Sequence, residues 1–162
     1  MIGRILLFAL LSSSAPGAAQ TASGSRVKSV RVLVLSTMLT ESRGVGEWGF
    51  GALVEFDGHR LLFDTGSRPQ TVLANSRELG VDLSEVEEVV LSHNHSDHTG
   101  GLFTLRRELS KSNPKALSRA HVGRGIFWER PGDPPETSFV AVRKPYEALG
   151  GTFLEHREPV EI

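Results

Sequence analysis

Ser92-His93-Asn94-His95-Ser96-Asp97-His98-Thr99-Gly100-Gly101 places three of the chain's six histidines and one aspartate within a short polar stretch, directly after the apolar run Val89–Leu91. Four such residues in fixed register are poorly explained by chance, and they point to metal ligation. Val89–Leu91 is too short for a helix and suits a buried strand, so the donors begin where a strand ends. Residues two apart on extended chain project to the same side, which lets His93 and His95 approach one ion together. Asp97 and His98 follow where the chain turns into a helix and can face a second ion; Gly100 and Gly101 permit the turn. Imidazole nitrogens with a carboxylate suit zinc best, although iron or manganese accepts the same donors. Two ions about 3.5 to 4 Å apart that share a water lower its pKa toward neutrality, so the expected chemistry is hydrolysis with no side-chain nucleophile.

Upstream, Gly51–Phe56 and Leu61–Phe63 are apolar runs on either side of Asp57-Gly58-His59-Arg60, a strong hairpin signal. The second run leads straight into Asp64-Thr65-Gly66, which puts Asp64 at a strand tip. There it can accept a hydrogen bond from the free ring N–H of a ligand histidine, the alternative being an ordinary turn aspartate. Asp97 and Asp64 are thus the catalytic candidates, and His93, His95, Asp97 and His98 the metal ligands. Val27–Leu35 reads as the first core strand. Glycines 44, 46, 49 and 51 surround Trp48 and Phe50 in a loop that either walls a substrate pocket or is a plain connection. Thr71–Leu79 has helical spacing and stops at Gly80.

Downstream, Leu102–Leu109 has amphipathic helical spacing; Ala116–Val122, Phe139–Val142 and Thr152–Glu155 read as strands, and Tyr146–Leu149 as one helical turn closed by Gly150 and Gly151. Strands alternating with helices predict a layered α/β (α+β) architecture. His121 is either a further ligand facing the cleft or a polar strand-end residue, while His59 and His156 read as solvated. Trp128, Arg124, Arg130 and the loop 131–135 either wall the pocket, with an arginine for an anionic group, or form an exposed loop.

Composition bounds the partners. A net charge of −1 and 23% charged residues without long runs give no basic groove, so a small-molecule substrate and no nucleic acid are expected. Arg4, the apolar run Ile5–Leu11 and the small residues Ser12–Ala19 have the layout of a signal peptide cleaved after Ala19, the alternative being a frayed apolar helix. The expected organisation is a signal peptide at 1–19, a linker at 20–26 and one domain at 27–162. The mature protein is then exported, periplasmic or secreted, with no stable membrane anchor. With no cysteine, its stability must come from core packing and bound metal.

The His-x-His-x-Asp-His motif after a short apolar strand, preceded by Leu-Phe-Asp-Thr-Gly, resembles the metallo-beta-lactamase superfamily. Leu61–Leu102, with the downstream Glu158–Ile162, is similar to the dihydropterin-ribofuranosyl-aminobenzene phosphate synthase-like branch of metallo-hydrolases. The resemblance implies a four-layer αββα sandwich with the metal site at one edge of the paired sheets, and carries His93, His95, Asp97 and His98 over as ligands. It also implies that a family domain continues past Ile162 and supplies further ligands. Since a catalytic zinc takes three protein ligands plus water, four donors do not complete two such sites. The chain is therefore expected to be the N-terminal part of a metal-dependent hydrolase acting on an ester, phosphoester or lactone bond; the alternative is a truncated, non-catalytic metal-binding remnant or binding module.

Overall fold

A computed structural model describes residues 26–40, 43–129, 131 and 139–162. The expected signal peptide, linker residues 20–25, Arg130 and most of the loop 131–135 lie outside the described residues. β1 (Val30–Ser36), β2 (Gly51–Phe56), β3 (His59–Phe63), β4 (Glu88–Leu91), β5 (Arg119–Gly123) and β6 (Thr152–His156) form one six-stranded sheet in chain order. The helices are α1 (Thr71–Glu78), α2 (Ser96–Thr99), α3 (Leu102–Leu109) and α4 (Val140–Ala148).

The hairpin joining β2 to β3 forms because Asp57 and Gly58 both take positive φ, 46° and 89°, a geometry whose twist matches that of the flanking strands. The Asp57 carboxylate also receives the backbone N–H groups of Lys28 and Ser29. This draws those residues out of strand pairing, and β1 starts at Val30 rather than at Val27. From β3 onward the pairing is parallel, which requires crossovers: α1 leads from β3 to β4, α2 and α3 from β4 to β5, and α4 from β5 to β6. The carboxyl ends of these four strands consequently share one edge of the sheet, where Asp64, Ser92 and Arg124 emerge.

Leu33, Leu53, Leu62, Val89, Ala120 and Phe153 are register partners running across one face. This face and the apolar sides of α1, α3 and α4 make the core. The other face carries Val30, Val32 and Val34 at 63%, 56% and 42% exposure and the half-buried Phe63, Val90 and Leu154, with no layer over it among the described residues. One sheet with helices on one side matches one αβ half of the αββα arrangement.

Three expected elements differ. Phe139–Val142 is the start of α4, not a strand: Phe139, Val142 and Tyr146 fall at helical spacing on one side and pack onto the core, which overrides their β-favouring side chains. The turn expected at Tyr146–Leu149 is the end of this same helix. The strand expected from Ala116 begins at Arg119, because Leu117 adopts φ 47° and turns its N–H to the Val86 carbonyl. Buried Arg106 ties this corner together by donating to the carbonyls of Ala116 and Leu149, and the buried Tyr146 hydroxyl donates to Leu117 O at 2.7 Å. Burial pushes the Tyr146 phenol well above its ordinary value.

The two sheet faces predict opposite mutational responses. Leu62, with no exposed surface, truncated to Ala lowers unfolding free energy by about 2 to 5 kcal/mol, whereas Val32→Ser changes it by no more than about 0.5 kcal/mol. Urea unfolding of both variants checks this; equal losses would contradict the assignment of the core to one face.

Candidate metal centre

Asp64 leaves the end of β3 with φ 56°, a left-handed conformation that an aspartate tolerates better than most residues, and its N–H extends the ladder to Val90 O at 2.9 Å. Its carboxylate is 1% exposed and would be costly to bury without donors. It has three: Ser92 N to Oδ1 at 2.8 Å, Ser92 Oγ to Oδ2 at 2.7 Å and His98 Nδ1 to Oδ2 at 2.8 Å. With its one proton directed at Asp64, Ser92 Oγ can only accept from His93 Nδ1, 2.9 Å away. This network assigns the Nδ1–H form to both His93 and His98 and leaves both Nε2 lone pairs available.

His93, Asp97 and His98 each offer a ligand atom, all within 4.8 Å of one another, and His98 Nε2 lies 3.5 Å from Asp97 Oδ2. The His93 ring sits 4.2 Å from that of His98 and 4.4 Å from that of His95, centroid to centroid. Burial first, then the neighbouring imidazoles of His98 and His95, lower the pKa of His93 and favour the neutral ring that a metal requires. Two imidazoles and a carboxylate with ligand atoms this close together fit a divalent ion of the zinc type. The expected partner of His93, His95, has its ring beside that of His93 but is not one of the three residues whose ligand atoms lie within 4.8 Å of one another. His95 is exposed and stands outside the converging group; its carbonyl instead starts α2 by accepting from His98 N and Thr99 N.

His121 does not join the group. It lies on the uncovered face of β5, its ring stacked on His156 with Nδ1 3.0 Å from His156 Nε2, and its Nε2 is 3.8 Å from Glu88. Burial, opposed by Glu88, depresses its pKa. His59 stacks on Phe56 at the hairpin. Asn94 donates to Ile126 O at 3.1 Å, which draws the loop holding Arg124 and the 66% exposed Trp128 toward the histidine segment.

Two residues of the site were not visible in the pattern. Ser92 reads only as the end of a strand, although a hydroxyl immediately before a candidate ligand histidine is a signal for a relay to its ring. Glu47 lies unremarked in the glycine-rich loop, yet it is 5% exposed and accepts from Ser36 Oγ, Ser67 N, Arg68 N and Thr71 Oγ1 at 2.6 to 2.9 Å. Burial pushes its carboxyl up, but these four donors together outweigh burial and leave it below its ordinary 4.5.

The sequence pattern of the metallo-beta-lactamase superfamily matches residues 51–159. The chain belongs to this superfamily. It is 32% identical over 123 residues to the 7,8-dihydropterin-6-methyl-4-(beta-D-ribofuranosyl)-aminobenzene-5'-phosphate synthase of Methanocaldococcus jannaschii, a match covering 70% of the chain and 40% of that protein. A ribonuclease Z of Methanopyrus kandleri is 44% identical over 55 residues, 34% of the chain and 19% of the enzyme. Among solved structures, a metal-dependent hydrolase of the beta-lactamase superfamily superimposes with a TM-score of 0.52 at 26% identity, covering 80% of the chain and 43% of that protein. The fold is shared with a diphosphatase from the PhnP family, TM-score 0.50 at 17% identity, over 82% of the chain and 52% of that structure. The chain thus spans well under two thirds of the length of either the synthase or the ribonuclease. Metal-dependent hydrolysis is the general chemistry these matches support.

A carboxyl whose folded pKa is depressed contributes stability above its unfolded value that is lost as pH falls through the folded one. The metal-free protein should therefore lose stability as pH falls below about 4.5, the ordinary glutamate value, and Glu47→Gln should flatten that part of the profile. Parallel urea titrations of parent and variant read the difference; identical slopes would show that the Glu47 contacts do not favour its charged form.

Proposed function

We propose that the chain forms the metal-binding part of a zinc-dependent hydrolase that cleaves an ester, phosphoester or lactone bond in a small molecule. The observation that carries this reading is the convergence of His93, Asp97 and His98 within 4.8 Å at the carboxyl ends of the parallel strands. When bound, a divalent ion supplies Lewis acidity and lowers the pKa of a coordinated water toward neutrality. The residues would divide the work as follows. His93, Asp97 and His98 hold the ion. Asp64 keeps a proton on Nδ1 of His98 directly and of His93 through Ser92, so that both rings present Nε2. His95 stands beside His93, and the expected second ion needs donors beyond the converging group. Trp48, 71% exposed, and Trp128 flank the histidine segment as apolar walls for substrate, with Arg124 placed over the Trp128 ring, 5.8 Å from its centroid.

The near-neutral surface supports a small molecule over nucleic acid, and an RNA substrate is the contrasting arm of a substrate screen. Among the described residues no helix is long and apolar enough to cross a membrane. The layout of residues 1–19 supports export, which would give a mature chain starting at Gln20.

Elemental analysis of the purified protein should find at least about one zinc per chain, lost in Asp97→Ala. Asp64→Asn should retain the fold and weaken zinc about 10- to 100-fold, because an amide cannot accept all three of the donors that Asp64 now holds. A panel of phosphoesters, lactones and thioesters with and without zinc then reads activity. A parent that takes up no zinc would sink the proposal, and zinc uptake with no hydrolysis across the panel would favour the binding module.

A further inference from the structure

Resting on the zinc-hydrolase reading above, we infer that Glu47 is a positioning residue for the metal centre: its buried carboxylate fixes the loop 64–68 on which the backbone of Asp97 and His98 rests. Glu47 has no cationic partner among the described residues. All four of its contacts are donors, two of them the consecutive backbone N–H groups of Ser67 and Arg68 and two the hydroxyls of Ser36 and Thr71. A carboxylate is the one side chain that can accept all four, and it binds together β1, the loop after β3 and the first residue of α1.

The contact surface between this loop and the histidine segment leaves no room for slack. A Cβ at Gly66 would lie 2.3 Å from Glu47 Oε1; one at Gly100 would lie 1.8 Å from Ser67 O, and one at Gly101 2.2 Å from Thr65 O. Across that surface Thr65 N donates to His98 O at 2.7 Å and Gly100 N to Gly66 O at 2.9 Å. From the other side, the strand entry after Glu47 reaches the same ligands: Phe50 N donates to Asp97 O at 3.0 Å and Gly66 N to Phe50 O at 2.7 Å, and a Cβ on Gly49 would meet Asp97 O at 2.7 Å. The carbonyls of two proposed ligands are thus held by the loop that the Glu47 carboxylate anchors and by the strand entry that follows Glu47 itself. Loss of that carboxylate would leave the Ser67 and Arg68 amides without their acceptor, and the loop would shift to find another, carrying Asp97 and His98 with it.

The test compares the full chain with Glu47→Gln, the milder Thr71→Val, which removes one of the four donors, and Tyr146→Phe, which removes a buried hydrogen bond far from the histidines. Zinc affinity is read by competition with a chromophoric chelator, and the ligand field by the visible spectrum of the cobalt(II)-loaded proteins. The expected result is an affinity loss of at least about tenfold in Glu47→Gln with an altered cobalt spectrum at saturation, and a smaller loss of the same sign in Thr71→Val. Tyr146→Phe should unfold at lower denaturant while keeping the parent's affinity and spectrum. If Glu47→Gln does not fold, Thr71→Val decides, and parent-like zinc affinity there overturns the inference. So does a folded Glu47→Gln with parent-like affinity and spectrum, or a Tyr146→Phe that loses zinc as strongly as Glu47→Gln. A parent that binds zinc in any of these cases leaves the hydrolase reading standing, whereas a parent that binds neither metal removes both.

Discussion

A buried carboxylate with three donors around it organises this molecule's working edge. Asp64 has almost no access to water, so its charge is tolerable only while Ser92 and His98 surround it. That requirement is reciprocal: the aspartate needs the serine and the histidine, and in meeting its need they fix the direction of two imidazole rings. Both rings are only partly buried, at the rim of the sheet.

The fold supplies this arrangement by simple means. Parallel pairing of β3 with β4 places the end of one strand beside the end of the next, which brings Asp64 next to Ser92 although 28 residues separate them. The α1 crossover that makes the pairing parallel also carries Thr71 to Glu47. Glycines at 49, 100 and 101 allow main chain to pass against main chain at distances that no side chain permits, and Gly66 leaves room for the Glu47 carboxylate. Packing on one face of the sheet and polar closure at its edge are therefore parts of one construction.

Much of this was legible in the amino-acid sequence because the deciding signals are local. The histidine spacing, the Asp57-Gly58 turn and the strand running into Asp64 each depend on neighbours in the chain, and the layered class followed from their order. What could not be read is non-local. Glu47 is ordinary in a glycine-rich loop until Ser36, Ser67, Arg68 and Thr71 arrive from elsewhere. How near Asp97 and His98 come to His93 depends on where α2 begins, and α2 is a four-residue helix with little sequence signature. Phe139–Val142 misled because β-favouring side chains at a helical spacing obey the surface they pack on.

The central claim is that Asp64 forces His93 and His98 to present Nε2. The nitrogen-15 shifts of the two imidazoles, measured in the metal-free protein at neutral pH, report directly which nitrogen carries the proton. Protonated Nδ1 on both rings, lost from His98 in Asp64→Asn, is the result the account predicts; protonated Nε2 on either ring in the parent would contradict it.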